Sequence, residues 1–354
     1  MRHRVPLEHL NATRIAIIKP SALGDVVHAL PVLGALRRRF PSAHIAWIVN
    51  RAYQSLIEDH ACLNETIPFD RSAMKAGWRT AAQSSLSFAR RLRRMRFDLV
   101  IDLQGLARSA VMTLATGAAR RVGLSTAREG ARLAYTDVVT IQNPSNRHAI
   151  DHYWDVVEAF GAGSLAKEFN IPVRSDAKAW AQSQLADCPR PWMAFGVGAR
   201  WLTKRWPPAS FAELANRAQA TFGGTVFFVG SPDEKPLAQE VASQLGGPRR
   251  DFVGTTTIQQ LAALLEAADV MVANDTGPLH LAVALGRPTV APYTCTQVRR
   301  HGPYGQSGGI ETTVFCKGSY IRVCDRLDCM SELRADRLWP ALSGILQSCT
   351  SHSV

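Results

Sequence analysis

Between Arg14 and Val49 the chain reads strand, helix, strand, and that order recurs along most of its length. RIAIIK (Arg14 to Lys19) is an Ile-rich run of buried-strand character, and HIAWIV (His44 to Val49) is a second one. Between them a helix is expected from Asp25 through Arg39, with Val26, Leu30, Leu33 and Leu36 on its apolar side. A strand–helix–strand of this length is a βαβ unit, which joins parallel strands and calls for helices on both faces of the sheet. The pattern continues through TIPF (Thr66 to Phe69), an amphipathic run from Arg79 to Met95, FDLVIDL (Phe97 to Leu103), RRVGL (Arg120 to Leu124) and VVTI (Val138 to Ile141), then a helix from His148 to Phe160.

A second alternation begins at WMAFGVGA (Trp192 to Ala199). Pro207-Pro208 introduces a helix from Phe211 to Phe222, TVFFVG (Thr225 to Gly230) is a strand, a helix spans Pro236 to Leu245, and DFVG (Asp251 to Gly254) is a further strand. Thr255 to Thr257 lead into a helix from Ile258 to Ala268, and TVAPY (Thr289 to Tyr293) closes the set. A chain of 354 residues exceeds one ordinary core. The expected organisation is α/β, with two Rossmann-like doubly wound domains facing a cleft. The boundaries fall at 1–172 and 173–330, with a helix and tail over 331–354 expected to pack back on the first domain.

The most informative stretch is DVMVANDTGPLHLAVALGRP, Asp269 to Pro288. It reads as a buried strand (Val270 to Ala273), a turn at Asn274 to Gly277, and a helix from Pro278, with Asp275 or Thr276 as its cap. A helix amino end aimed out of the carboxyl edge of a parallel sheet attracts anions, phosphate above all. His280 falls in the first turn. In the earlier turn KPSALGDVVHALP (Lys19 to Pro31), Asp25 stands at the mouth of the first strand, either as a capping acid or as a general base. His28, three residues on, is either a surface histidine or a group that orients Asp25. This turn has a single glycine, so the dinucleotide fingerprint is absent and a nicotinamide oxidoreductase is disfavoured. The cationic loop Ala199 to Trp206 leaves a strand end with Lys204 as a point charge for phosphate. Glu234, in the next such loop, is either a first-turn acid or an acceptor for a ribose hydroxyl.

Composition narrows the partners. Hydrophobic residues make up 46% and charged residues 20%, values of a soluble globular protein. The first fourteen residues lack the apolar run of an export signal, and no stretch is long and apolar enough to span a bilayer. A cytoplasmic protein is therefore expected. The net charge of +12 is uneven: up to Ser175 there are 24 Lys and Arg against 14 Asp and Glu, and beyond it 17 against 15. The excess lies in Arg37–Arg39, Arg90–Arg96 and Arg120–Arg121, and a basic half suits a phosphorylated substrate or an anionic membrane surface. Seven cysteines without an export signal do not suggest a disulfide framework. Cys316, Cys324 and Cys329 crowd together without paired C-x-x-C spacing, so buried structural thiols are expected there rather than zinc ligands.

Taken in order, GD-V-x-H-x-L-P after the first strand, K-x-W after the first strand of the second half, and D-T-G-x-x-H-L-A near the end resemble glycosyltransferase family 9. These are the bacterial ADP-heptose:lipopolysaccharide heptosyltransferases, and the likeness spans Arg14 to about Leu346. The tail around Cys316, Cys324 and Cys329-Met330 is similar to the cysteine-containing tail of many members. The resemblance implies a glycosyltransferase B fold, the first domain taking a lipid A–Kdo type acceptor and the second holding ADP-heptose. It implies inverting transfer of heptose to the inner core (Kdo or heptose) without a metal or other cofactor, by a cytoplasmic enzyme peripheral to the inner membrane. By motif, Asp25 matches the catalytic base and Lys204 the phosphate-binding lysine. Asp275, Thr276, Gly277 and His280 match the sugar-diphosphate loop, with Glu234 near the ribose and Thr256 and Thr257 on the adenine side. His28 and Arg120 are candidates for acceptor binding. Ala199-Arg200-Trp201 departs from the small hydroxyl residues that some members place against the phosphates. Two other readings remain: a transferase of this fold with another nucleotide sugar, and a non-catalytic binder of anionic lipid. Nucleic acid is not an expected partner.

Overall fold

A computed structural model describes residues 5–70 and 78–351, and the chain divides into two compact units, Met1–Pro172 and Val173–Val354. In the first unit the strands are β1 (Arg14–Ile18), β2 (His44–Asn50), β3 (Glu65–Phe69), β4 (Leu99–Asp102), β5 (Arg120–Leu124) and β6 (Asp137–Val139). The helices are α1 (Leu23–Arg39), α2 (Gln54–Ile57), α3 (Trp78–Arg94), α4 (Ala107–Thr116) and α5 (Ala149–Ala159). All neighbouring strands pair in parallel, in the order β3-β2-β1-β4-β5-β6. Ile15, Ile17 and Ile18 of β1 are fully buried, as a central strand covered on both faces requires.

The second unit repeats the plan. After α6 (Ser175–Leu185) come β7 (Trp192–Gly196), α7 (Pro208–Phe222), β8 (Thr225–Phe228), α8 (Lys235–Ser243), β9 (Arg249–Asp251), α9 (Ile258–Ala267) and β10 (Val270–Ala273). Then follow α10 (Gly277–Ala284), β11 (Thr289–Tyr293), α11 (Val298–His301), β12 (Gly309–Glu311), α12 (Asp328–Glu332) and α13 (Ala335–Ser351). The order β12-β11-β10-β7-β8-β9 is the first sheet's order repeated, with β7 and β10 in the places of β1 and β4. In both sheets the chain reverses its direction of winding between the two central strands, and the loops leaving those strands diverge there. Ligand sites of open α/β sheets form at that switch point, outside the carboxyl ends of the strands.

Some elements differ from expectation. β9 lies at Arg249–Asp251, with all three side chains exposed, while Phe252 and Val253 turn into the core. An edge strand of this kind is held by backbone pairing to β8 and carries no apolar pattern to read. The helix expected in the final segment is α13, and it packs within the second unit. Leu338, Leu342 and Leu346, four apart on α13, are fully buried in the same core as Phe211 and Leu214 of α7 and Trp206.

Trp206 is the pin of that core. Its ring is fully buried, meets Phe211 edge-on with centroids 4.8 Å apart, and donates Nε1–H to Leu333 O at 2.5 Å. Replacing Trp206 by Ala is expected to cost about 3–5 kcal/mol, from lost burial and the cavity left behind. Urea unfolding followed by far-UV circular dichroism checks this.

Candidate active site

In the second unit the switch point is held by the turn after β10. Asn274, fully buried, donates Nδ2–H to Val197 O (2.9 Å) and Gly198 O (3.2 Å), and its Oδ1 accepts from Trp206 N (3.0 Å). One side chain thus fastens both ends of the loop leaving β7 to the end of β10. Next to it the Asp275 carboxylate, 5% exposed, accepts from Lys204 Nζ (2.6 Å) and Thr296 Oγ1 (2.7 Å) on Oδ2, while Oδ1 lies 3.2 Å from His280 Nε2. Burial would raise this carboxyl's proton affinity, but the His280 hydrogen bond and the Lys204 charge overcome it and hold it far below the usual carboxylate range. Lys204 also donates to Asp275 O at 3.3 Å and lies 4.9 Å from the centroid of the Trp201 ring. An ammonium has three donors, so Asp275 leaves it a hydrogen for an incoming anion.

The sequence suggested Asp275 or Thr276 as the cap of the following helix, and neither serves. Thr276 is at the N-cap position but donates to Asn274 O (3.2 Å), and no side chain caps α10. Thr276 and Gly277 therefore present main-chain amides at an uncapped helix amino end, beside Lys204. The Asp275 carboxylate itself is buried and engaged by Lys204, Thr296 and His280.

The remaining candidates of this unit come to the same sheet edge. Glu234 follows β8, accepts from Ser231 N at 2.8 Å as a first-turn cap, and overlies Gly198 and Gly230. A Cβ on Gly198 would stand 2.1 Å from Glu234 Cδ, so a side chain there would push the Glu234 carboxylate from its place. Thr256 and Thr257 follow β9; Thr257 caps α9, accepting from Gln260 N at 3.2 Å. Arg200 is exposed, whereas Ala199 is buried and its carbonyl accepts from Arg205 Nη2 at 2.9 Å.

In the first unit Asp25 stands in the first turn of α1, just past the end of β1. The capping reading of its position holds, since Oδ2 accepts from Ala22 N at 3.1 Å, and the side chain remains 44% exposed. Oδ1 accepts a long hydrogen bond from Tyr153 Oη (3.4 Å) and lies 3.8 Å from Lys19 Nζ. Lys19 and Tyr153 are functional candidates that sequence reading missed. A lysine at a strand end gives no signal of burial, and Tyr153 arrives from α5, far along the chain. Burial pushes the Tyr153 phenol up to about 12. Nearby, Asp102 at the end of β4 is fully buried; burial raises its proton affinity, against hydrogen bonds from Ser109, Tyr135 and the amides of Gly105 and Gln104.

Other candidates are corrected. Arg120 opens β5, at the amino edge of the sheet and so opposite Asp25. There it forms a two-pronged pair with Asp137 (3.0 and 2.8 Å) and donates to Val5 O (2.8 Å), a structural engagement rather than an acceptor site. His28 is not a surface residue: it is buried, its ring edge-on to that of His148 at 5.3 Å. Several basic clusters close helix ends and loops, with Arg37 reaching Cys62 O and Ala43 O, Arg39 reaching Phe160 O and Glu8 O, and Arg121 reaching Ala134 O. Of the tail cysteines only Cys329 is buried. Cys316 and Cys324 are half-buried, and all three line a cavity of about 240 Å³ with Cys295. Among the described residues no three His, Cys, Asp or Glu side chains are grouped to hold a metal, and no helix is long and apolar enough to cross a membrane.

Two doubly wound units of this topology, one offering a carboxylate and the other a lysine beside a helix amino end, are the build of a two-domain glycosyltransferase. Residues 85–317 match the profile of glycosyltransferase family 9 (heptosyltransferase), and the chain belongs to that family. It is 31% identical over 305 residues to lipopolysaccharide heptosyltransferase 1 of Pseudomonas aeruginosa, covering 83% of this chain and 82% of that one. Among solved structures, a family 9 glycosyl transferase from Veillonella parvula superimposes with a TM-score of 0.82 at 23% identity, over 97% of this chain and 99% of that one. The E. coli heptosyltransferase WaaC with ADP superimposes with a TM-score of 0.73 at 24% identity, over 94% and 100%.

His301, at the end of α11, offers a pH test of this neighbourhood. Burial, with Lys204 and His280 adding to it and Asp275 opposing, pushes its imidazole down to about 4 from an ordinary 6.5. Below pH 6.5 the unfolded chain takes up a proton that the folded chain refuses, so this stability is present above 6.5 and lost as pH falls toward about 4. His301→Gln is expected to flatten that part of the stability–pH curve, measured by urea unfolding at a series of pH values.

Proposed function

We propose that this glycosyltransferase moves heptose from ADP-heptose to the inner core, Kdo or heptose, of a lipid A-linked lipopolysaccharide precursor, with inversion and without a metal. The observation that carries the reading is the position of the motif residues: those matched to the donor stand together on the carboxyl edge of the second sheet, and Asp25 stands at the switch point of the first. The likeness to a lipopolysaccharide heptosyltransferase over four-fifths of the chain supports the choice of sugar and acceptor.

In this mechanism an acceptor hydroxyl attacks the anomeric carbon opposite the diphosphate, and Asp25 takes its proton as the new bond forms. Negative charge growing on the departing ADP is met by the Lys204 ammonium, His280 and the amides at Thr276 and Gly277. Donors fixed in place before reaction usually supply the largest part of such a rate enhancement. Glu234 accepts from a ribose hydroxyl, and Thr256 and Thr257 border the adenine. Arg90 and Arg94 are exposed on α3. They support peripheral attachment to the cytoplasmic face of the inner membrane, where each basic residue near an anionic surface contributes about 1 kcal/mol.

Asp25→Asn is expected to lower turnover about 10²- to 10⁴-fold while leaving the Kd for ADP unchanged. Lys204→Ala should weaken ADP about ten- to a hundredfold, the loss of one charged hydrogen bond. Both are read with purified protein, ADP-heptose and defined lipid A–core acceptors, by product mass and titration calorimetry. Release of UDP in preference to ADP from a donor panel would replace this reading with a transferase of the same fold acting on another nucleotide sugar.

A further inference from the structure

We infer that Lys19 is the positioning residue of Asp25, an inference that rests on the reading of Asp25 as the base. Lys19 ends the buried β1 run, and its side chain is 3% exposed although it carries a full charge. Such a charge is costly unless partners surround it, and those partners are specific. Nζ donates to Leu103 O at 3.1 Å, lies 3.8 Å from Asp25 Oδ1, and sits 4.8 Å from the centroid of the Tyr153 ring. The ammonium thus ties the ends of the two central strands together and stands directly behind the exposed carboxylate.

The geometry divides the carboxylate's two oxygens between two tasks. Oδ2 is fixed by the Ala22 amide, which sets the plane of the group on α1. Oδ1 is the oxygen that Lys19 and Tyr153 both approach: the Tyr153 hydroxyl donates to it at 3.4 Å, and the charged Lys19 ammonium stands 3.8 Å away. Lys19 is too deeply buried to meet an acceptor sugar, so its effect on transfer passes through Asp25. Asp102 faces Lys19 from β4, and its influence on the ammonium has the same sign as that of Asp25. A cation fixed behind Asp25 holds Oδ1 by its charge while the Ala22 amide holds Oδ2, so the carboxylate is kept in one orientation.

The test uses the full chain with ADP-heptose and a defined lipid acceptor, comparing wild type, Lys19→Met, Tyr153→Phe and Asp25→Asn. Lys19→Met is expected to lower kcat about tenfold at neutral pH, in the range of couplings between contacting groups. Donor and acceptor KM and the Kd for ADP should stay within twofold. The loss should fall on kcat alone, a split between kcat and KM that a merely structural loss would not give. Tyr153→Phe should lower kcat by less than threefold. An unchanged kcat in a folded Lys19→Met, or a raised acceptor KM with kcat unchanged, overturns the inference. If Lys19→Met does not fold, Tyr153→Phe decides: a loss as large as that of Asp25→Asn makes Tyr153 the positioning group and overturns it, and a loss below threefold upholds it. Failure of the base reading looks different, because Asp25→Asn itself would then retain turnover.

Discussion

The second unit depends on one buried amide. Asn274 sits where β10 ends, and its three hydrogen bonds reach the carbonyls of Val197 and Gly198 and the amide of Trp206. Without it the loop that carries Lys204 would leave β7 untied, and three buried main-chain groups would lose their partners. Each such loss costs about 1–3 kcal/mol. With it, Lys204 is delivered to Asp275, Trp206 is seated in the core, and the first turn of α10 opens on the same edge. Binding geometry and core packing therefore share one fastening.

Both units build their chemistry on the same electrostatic device with the charges exchanged. In the first, a buried lysine (Lys19, 3% exposed) stands behind a more exposed aspartate (Asp25, 44%). In the second, a buried aspartate (Asp275, 5%) stands behind a more exposed lysine (Lys204, 19%). A buried ion pair stabilises a fold only weakly, but loss of one member strands the other in a medium that cannot solvate it. The inner member thereby restrains the direction of the outer one. The proposed transfer needs a proton acceptor at one end and a charge acceptor at the other, the parts that the proposal gives to Asp25 and Lys204.

The basic excess of the first unit has a mixed meaning. Arg37, Arg39 and Arg121 reach main-chain carbonyls at helix ends and turns, and Arg120 pairs with Asp137. Guanidinium groups suit this because one planar fork can satisfy several carbonyls. Net charge counts such residues fully although they are internal connectors. What is left to meet an anionic partner is chiefly the exposed side of α3.

The sequence by itself determined the alternation of strands and helices, the presence of two doubly wound halves, and the turns that bear Asp25, Lys204 and His280. Each of these is a local signal: apolar period, a proline near a helix start, a carboxylate or lysine just past a strand. It placed β9 two residues late, at Asp251 to Gly254, and missed β12; both are edge strands whose side chains are exposed or few, so that backbone pairing and not hydrophobicity forms them. Only the tertiary structure decided that α13 completes the second core, that Arg120 lies on the opposite edge of its sheet from Asp25, and that Asn274, Lys19 and Tyr153 meet the loops bearing Lys204 and Asp25. The reason is the same in each case. Burial and partnership are properties of strand order, which brings β1 beside β4 and β7 beside β10 across some 80 residues of chain, and no local pattern records which distant carbonyl a side chain will meet.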